Sequence, residues 1–176
     1  MSFTSRDFRH ALGRFASGVT IVTVHHENHT HGMTANAFVS VSLDPPLVLV
    51  SLDNRSNMHR ILPAIGRYGV SVLAEDQEAV SNHFAGKRIE GLHTGFTLRD
   101  GIPLLDGAVA HFIVDVSEVH PAGDHTLYIG QVKYLSWRDA QPLLFYGGNY
   151  QRLRSHKAAQ PDEPSLFSIG GFDPKS

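Results

Sequence analysis

Apolar positions in this chain follow two periods. Near the N-terminus the period is helical: Phe8, Leu12 and Phe15 stand at i, i+4 and i+7. Thr4 with Asp7 three residues later predicts a capping box, and Gly18 a stop. From residue 19 to 25 a run of Val, Ile and Thr predicts a strand, with Glu27-Asn28-His29 at a hairpin tip. Further strands are predicted near 32–42 and 47–53. Asp44-Pro45-Pro46 separates them, because proline has no N–H to give a ladder. Ser56 is placed to cap a short helix through about Ile65, with Pro63 limiting its end. A strand over 68–74 follows, then a helix capped by Asp76, running to Phe84 and closed by Gly86. Residues 87–103 read mostly as loop. Beyond them the period returns to two. Ala108, Ala110, Phe112, Val114 and Val116 share one face, and Thr126, Tyr128, Gly130, Val132 and Tyr134 share another. A last strand near 143–146 leads into Gly147-Gly148-Asn149.

Many strands and three short helices predict a mainly β fold, an antiparallel barrel rather than a parallel βαβ sheet. A length of 176 residues fits one domain, over 1–154, with a C-terminal tail over 155–176. Residues 155–164 are polar with two prolines and read as a linker. Leu166, Phe167, Ile169 and Phe172 then form an apolar end suited to docking on the body or on a partner subunit.

Composition removes several function classes. Hydrophobic residues make up 41% and charged residues 18%, as in soluble globular proteins. A net charge of −2 offers no footprint for nucleic acid or an anionic membrane. The absence of cysteine excludes disulfides, thiolate catalysis and Cys-ligated metal, and suits a cytoplasmic location. No apolar run has the length of a membrane span, and residues 1–10 lack a signal-peptide core. His25, His26, His29 and His31 crowd around Glu27. No H-E-x-x-H is present, so a solvated hairpin tip is expected there and no metal site. The dinucleotide fingerprint G-x-G-x-x-G and the P-loop are both absent.

Polar residues embedded in the predicted strands are the first candidate site. Thr34, Asn36, Ser40, Ser42 and Ser51 sit among Val and Leu and lead to the polar turn Asp53-Asn54-Arg55-Ser56-Asn57. Buried hydroxyls and amides need partners. A ring edged with carbonyls and nitrogens and carrying a phosphate fits such a lining. The blocks at residues 15–23 (Phe-Ala-Ser-Gly-Val-Thr-Ile-Val-Thr), Thr34-Ala35-Asn36, residues 42–46 (Ser-Leu-Asp-Pro-Pro), residues 73–77 (Leu-Ala-Glu-Asp-Gln) and Gly123-Asp124-His125 together resemble the flavin reductase family. These are the small reductase partners of two-component flavin monooxygenases. The resemblance runs from about Phe8 to Tyr150.

That resemblance implies a split β-barrel, usually homodimeric, binding FMN or FAD and oxidising NADH or NADPH in an open cleft. It implies a separate flavin-dependent monooxygenase as the recipient of reduced flavin. Thr34, Ala35 and Asn36 would meet the ring edge. Alone they read as a strand with tolerated polar residues. Ser51, Leu52, Asp53, Arg55, Ser56 and Asn57 would hold the flavin phosphate, at a turn that alone reads as an ordinary capped helix. Phe84 and Ala85 would pack on the flavin and Arg88 reach its phosphate; the bland reading is a helix end with solvated cations. His125, oriented by Asp124, would contact nicotinamide and serve as the one catalytic side chain, although a lone strand histidine is more often structural. Tyr146, Gly147, Gly148, Asn149 and Tyr150 occupy the place of a second nicotinamide-side loop. Its usual form carries an Arg after the first aromatic, where this chain has glycines. A flavin-binding store or sensor is the alternative; it leaves Gly123-Asp124-His125 without a task. No residue decides FMN from FAD, or NADH from NADPH.

Overall fold

Two thirteen-residue strands organise the molecule. In the computed structural model, which describes residues 2–153, the period-two stretches form β9 (Ala110–Ala122) and β10 (His125–Trp137), one long antiparallel hairpin. Ahead of them the chain builds α1 (Ser5–Leu12), β1 (Ser17–Gly18), β2 (Thr20–His26), β3 (His29–Ala35), β4 (Phe38–Leu43), β5 (Pro46–Asp53), α2 (Asn57–Ile65), β6 (Arg67–Val72), α3 (Glu78–Phe84), β7 (Phe96–Arg99) and β8 (Ile102–Leu105). Two short strands, β11 (Leu144–Tyr146) and β12 (Asn149–Gln151), close the described chain. The Arg154 boundary and the tail over 155–176 lie outside the described residues.

The principal sheet has the order β3-β2-β6-β9-β10-β5-β4, antiparallel throughout. Its two edge strands, β3 and β4, are consecutive in sequence. Six inter-strand gaps would hold the edges of a flat sheet about 29 Å apart, while Asn36 and Ala37 span at most about 7 Å. The sheet therefore curls until its edges nearly meet. They share no ladder among the described residues; the Ser51 N–H donates to the Ala37 carbonyl at 3.1 Å and so extends the β4–β5 pairing back to the turn. The result is the expected antiparallel barrel, split beside Asn36.

The barrel interior holds Val22, Val24, Val50, Leu52, Tyr68, Val70, Val114 and Tyr128, plugged at one end by Met58 and Leu62 of α2. Strand β2 is buried on both faces. Ile21 and Val19 pack outward with Leu73, Leu105 and Leu143 beneath α3. That double burial explains its run of Ile, Val and Thr, whose Thr20 and Thr23 hydroxyls donate to the Ala35 and Pro103 carbonyls.

Several boundaries differ from expectation. The predicted strand over 32–42 is two strands, because the chain must turn from one sheet edge to the other at Asn36-Ala37. Helix α1 has its capping box but ends at Gly13, while Gly18 lies in β1. Pro63 sits inside α2, which instead ends at Gly66 with φ 68°. Its missing N–H leaves the His59 carbonyl without its helical donor, and the Tyr128 hydroxyl stands 3.5 Å from that carbonyl. Gln77, not Asp76, precedes α3; its side chain accepts from the Ala74 N–H and donates to the Asp106 carbonyl. Residues 87–103 contain β7 and the start of β8, paired around Asp100-Gly101. A ladder irregularity between Val132 and Tyr134 turns Tyr134 onto Ile102, Leu104 and Ile113, away from the face of Tyr128.

Candidate functional site

Strand pairing brings two of the predicted segments together. His125 stands opposite Asp53, and Thr126 opposite Leu52, where β10 meets β5. Gly123, at φ 66°, makes the tight turn from β9 to β10 that leads into His125. The turn after β5 is stitched to it. The Asn54 N–H donates to the Asp124 carbonyl at 3.0 Å, and the Thr126 hydroxyl donates to Asn54 Oδ1 at 2.7 Å. Residues 53–57 and 123–126 thus form one platform.

Most polar side chains of that platform are already engaged. Arg55 grips Asp53 through Nε and Nη2, at 3.1 and 2.7 Å, and its N–H bonds the same carboxylate. These bonds hold the Asp53 carboxyl well below the usual carboxylate range and raise the Arg55 guanidinium. Arg55 is therefore a brace for the turn before it is a phosphate ligand. His125 Nδ1 lies 2.7 Å from Asp124 Oδ1, which lowers the Asp124 carboxyl through that hydrogen bond. The His125 side chain is 42% exposed, so the ring is oriented and reachable at once. Ser56 caps α2 by accepting from the His59 N–H, and Asn57 Oδ1 accepts from Arg60. The first-turn N–H groups at Asn57 and Met58 are left to face a ligand or water, the arrangement that attracts phosphate. Beneath the platform, fully buried Tyr128 brings its hydroxyl to His59 Nδ1 at 2.8 Å.

A second group lies at the split. Thr34 donates its hydroxyl to the Ser81 carbonyl at 2.7 Å, and Ser81 Oγ meets the Tyr150 hydroxyl at 2.8 Å. Thr34, Asn36, Ser81, Ala85 and Tyr150 border a hollow of about 200 Å³. Asn36 also borders an open groove of about 700 Å³ with Phe15, Gly18, Phe38 and Leu49. That size suits a cofactor ring, as ligand clefts run about 300–1,000 Å³. Its apolar walls offer flat contact to such a ring, and Asn36 offers donors and acceptors at the edge. A flavin ring therefore fits the residues present.

Other candidates stand apart. Ser40 and Ser42 border a separate hollow on β4 with Val41 and Leu43. Leu52 has its side chain in the core. Phe84 packs edge-to-face on Phe96 at 5.9 Å and covers Gly32, so its ring serves the second core cluster. Arg88 is exposed in a loop. Tyr146, Gly147, Gly148 and Asn149 form the tip joining β11 to β12, and the Gly147 N–H donates to the Gly13 carbonyl at 2.8 Å. The histidine hairpin has its turn at Glu27 and Asn28, both with positive φ.

Residues 12–154 match the model of the flavin reductase like domain. The chain belongs to the flavin reductase-like family. A relative from Rhodococcus sp., named an NADH-dependent flavin reductase, is 52% identical over 93% of both chains. The reductase component of a 4-hydroxyphenylacetate 3-monooxygenase from Thermus thermophilus is 40% identical over 83% of this chain and 95% of its own. Among solved structures, the flavin reductase PheA2 in its native state superposes with a TM-score of 0.84 at 40% identity, covering 87% of this chain and all of that one. The styrene monooxygenase flavin reductase from Pseudomonas putida S12 follows closely, at 0.80 and 38%, over 86% of this chain and 99% of that one.

Two residues that the sequence reading did not single out for the site, Thr126 and Ser81, join its parts together with Asn54 of the polar turn and Tyr150 of the 146–150 loop. Asn54 and Thr126 lock the platform, and Ser81 and Tyr150 tie the split to α3 and β12. Ser81 carried no local signal, since only the fold brings positions 34, 81 and 150 together.

Proposed function

We propose that this chain is an NADH:flavin oxidoreductase that supplies reduced flavin to a separate monooxygenase. The observation that carries the reading is the platform, which joins the turn of Ser56 to the turn of His125 through Asn54. The bound cofactors supply the redox chemistry, a hydride leaving nicotinamide C4 for flavin N5. The chain's residues bind and align. Asn36 would meet the pyrimidine edge of the flavin and oppose the charge that gathers there. Asn57 and Met58 would offer N–H groups to its phosphate. His125, held by Asp124, would bear on the nicotinamide. Relatives named as NADH-dependent favour NADH as the donor. They include both an FMN reductase and an FAD reductase, so the ring common to both is the part recognised.

The reading includes a homodimer. Its support is apolar surface that one chain leaves uncovered: Phe8, Leu12 and Phe15 at the N-terminus, and Val39, Val41 and Leu43 on the sheet edge, with Leu43 92% exposed. The tail over 155–176, proposed as a docking segment, is the other candidate cover. Light scattering on the full chain and on a chain ending at Arg154 separates them. A dimer in both assigns the surface to a second copy; a monomer in both removes the homodimer.

The test of the activity is NADH oxidation followed near 340 nm with FMN, FAD and riboflavin in turn. Turnover with at least one flavin is expected, and EDTA should not reduce it. Flavin binding without turnover would favour the store or sensor.

A further inference from the structure

Three arginines without acidic partners meet beside the Gly147-Gly148 turn. Arg6 and Arg9 share a face of α1, at i and i+3. Arg14 follows the helix. With His10 they line a hollow of about 420 Å³ whose far wall is Gly147 and Gly148. No carboxylate lines it. Asp7, the one acid of α1, is folded back onto the Thr4 N–H and hydroxyl at 2.8 and 2.7 Å. Among the described residues none of the three guanidinium groups has a carboxylate partner.

The hollow is also fixed in place. The Gly147 N–H donates to the Gly13 carbonyl at 2.8 Å, joining the hairpin tip to the end of α1. The Arg14 guanidinium carbon lies 5.5 Å from the centre of the Tyr146 ring. Gly147 and Gly148 have φ of 60° and 84° and carry no side chain, so their backbone is open to close approach. Like charges gathered around one hollow repel until an anion enters. Guanidinium forks match phosphate oxygens in pairs.

We propose that this hollow takes the diphosphate of the nicotinamide dinucleotide. The assignment rests on the reductase reading. Under it, the flavin phosphate already has its turn at the start of α2, which leaves the dinucleotide diphosphate as the remaining multiply charged group to place. The loop lacks a charged residue of its own, and α1 supplies the charge from a distant part of the sequence.

The test compares wild type with the double variants Arg6→Gln/Arg9→Gln and Arg6→Lys/Arg9→Lys, leaving Arg14 to brace Tyr146. Both positions are exposed, and circular dichroism checks the fold. Two donors are used at saturating flavin: NADH, and reduced nicotinamide mononucleotide, which has one phosphate and no diphosphate. In the Gln pair the KM for NADH should rise by about 10-fold, the equivalent of one charge-assisted bond. The preference for NADH over the mononucleotide should fall by the same factor, and the Lys pair should recover part of it. An unchanged KM for NADH overturns the assignment. So does a loss of FAD affinity at constant NADH KM, which would give the hollow to the flavin's own diphosphate. A wild-type protein that oxidises neither donor removes the reductase reading itself, and this assignment with it.

Discussion

The platform of residues 53–57 and 123–126 and the cationic corner of α1 spend their polar groups in opposite ways. On the platform, Asp53 is matched to Arg55, Asn54 to Thr126, Asp124 to His125 and Ser56 to the His59 N–H. At the corner, three guanidinium groups face a hollow with no acid to answer them. A self-bonded region holds its shape without a ligand and is suited to alignment. A region of unanswered charge gains energy only when an anion arrives, and is suited to capture. The split beside Asn36 stands between the two, with Thr34 committed to Ser81 and Asn36 at the mouth of two hollows.

The comparison breaks most sharply from beneath. Tyr128 is fully buried under the platform and braces α2 through His59. Tyr128→Ala should cost about 3–5 kcal/mol by denaturant unfolding, the range for aromatic truncation in a core. Tyr128→Phe should cost only about 1 kcal/mol, one hydrogen bond. Equal effects of the two would show that the hydroxyl, not the packing, carries the brace.

A middle-sized effect is expected at the split. Asn36→Ala should raise the flavin Kd by about 3–30-fold, the loss of one or two bonds worth about 0.5–1.5 kcal/mol each. Fluorescence titration reads it. Unchanged affinity in a folded variant would remove Asn36 from the flavin site.

The smallest effect concerns acid. The Asp53 carboxyl is held below its ordinary value of 3.8 by Arg55. A depressed carboxylate contributes stability that is present above that value and lost as pH falls through the folded-state value. Asp53→Asn should therefore be less stable than wild type at pH 6, with the gap closing below about pH 4. Arg55 is largely exposed and Asp53 partly so, and added salt should therefore shrink the gap at pH 6. A gap that widens in acid would contradict the assigned pairing.

Much of this was legible in the order of residues, and the failures have definite causes. The capping box at Thr4, the Ser56 cap and the two long period-two strands followed from local chemistry; their pairing as one hairpin came from the fold. The β7–β8 hairpin was missed although Asp100-Gly101 is a strong turn signal; Pro103 and the polar approach hid the strands around it. The predicted helical stripe holds for Phe8 and Leu12, whereas Phe15 lies past the end of α1, and none of the three is buried within one chain. Periodicity reports that a face is apolar, not what covers it. At the site, contiguous motifs were visible, whereas Thr34–Ser81–Tyr150 and the meeting of α1 with Gly147 depend on long-range folding. The platform explains why the motifs at 53–57 and 123–125 belong together: strand register makes Asp53 and His125 neighbours.

The central claim is that the His125 side of the platform serves nicotinamide, while the flavin is held by the Ser56 turn and the split beside Asn36. His125→Ala tests it most directly, with flavin Kd and NADH kinetics measured on the same folded protein. Flavin affinity should stay nearly constant while kcat/KM for NADH falls by about 10-fold, the equivalent of ~1.4 kcal/mol of transition-state interaction. Loss of flavin binding with no separate NADH defect would place Gly123-Asp124-His125 in the flavin site and contradict the account.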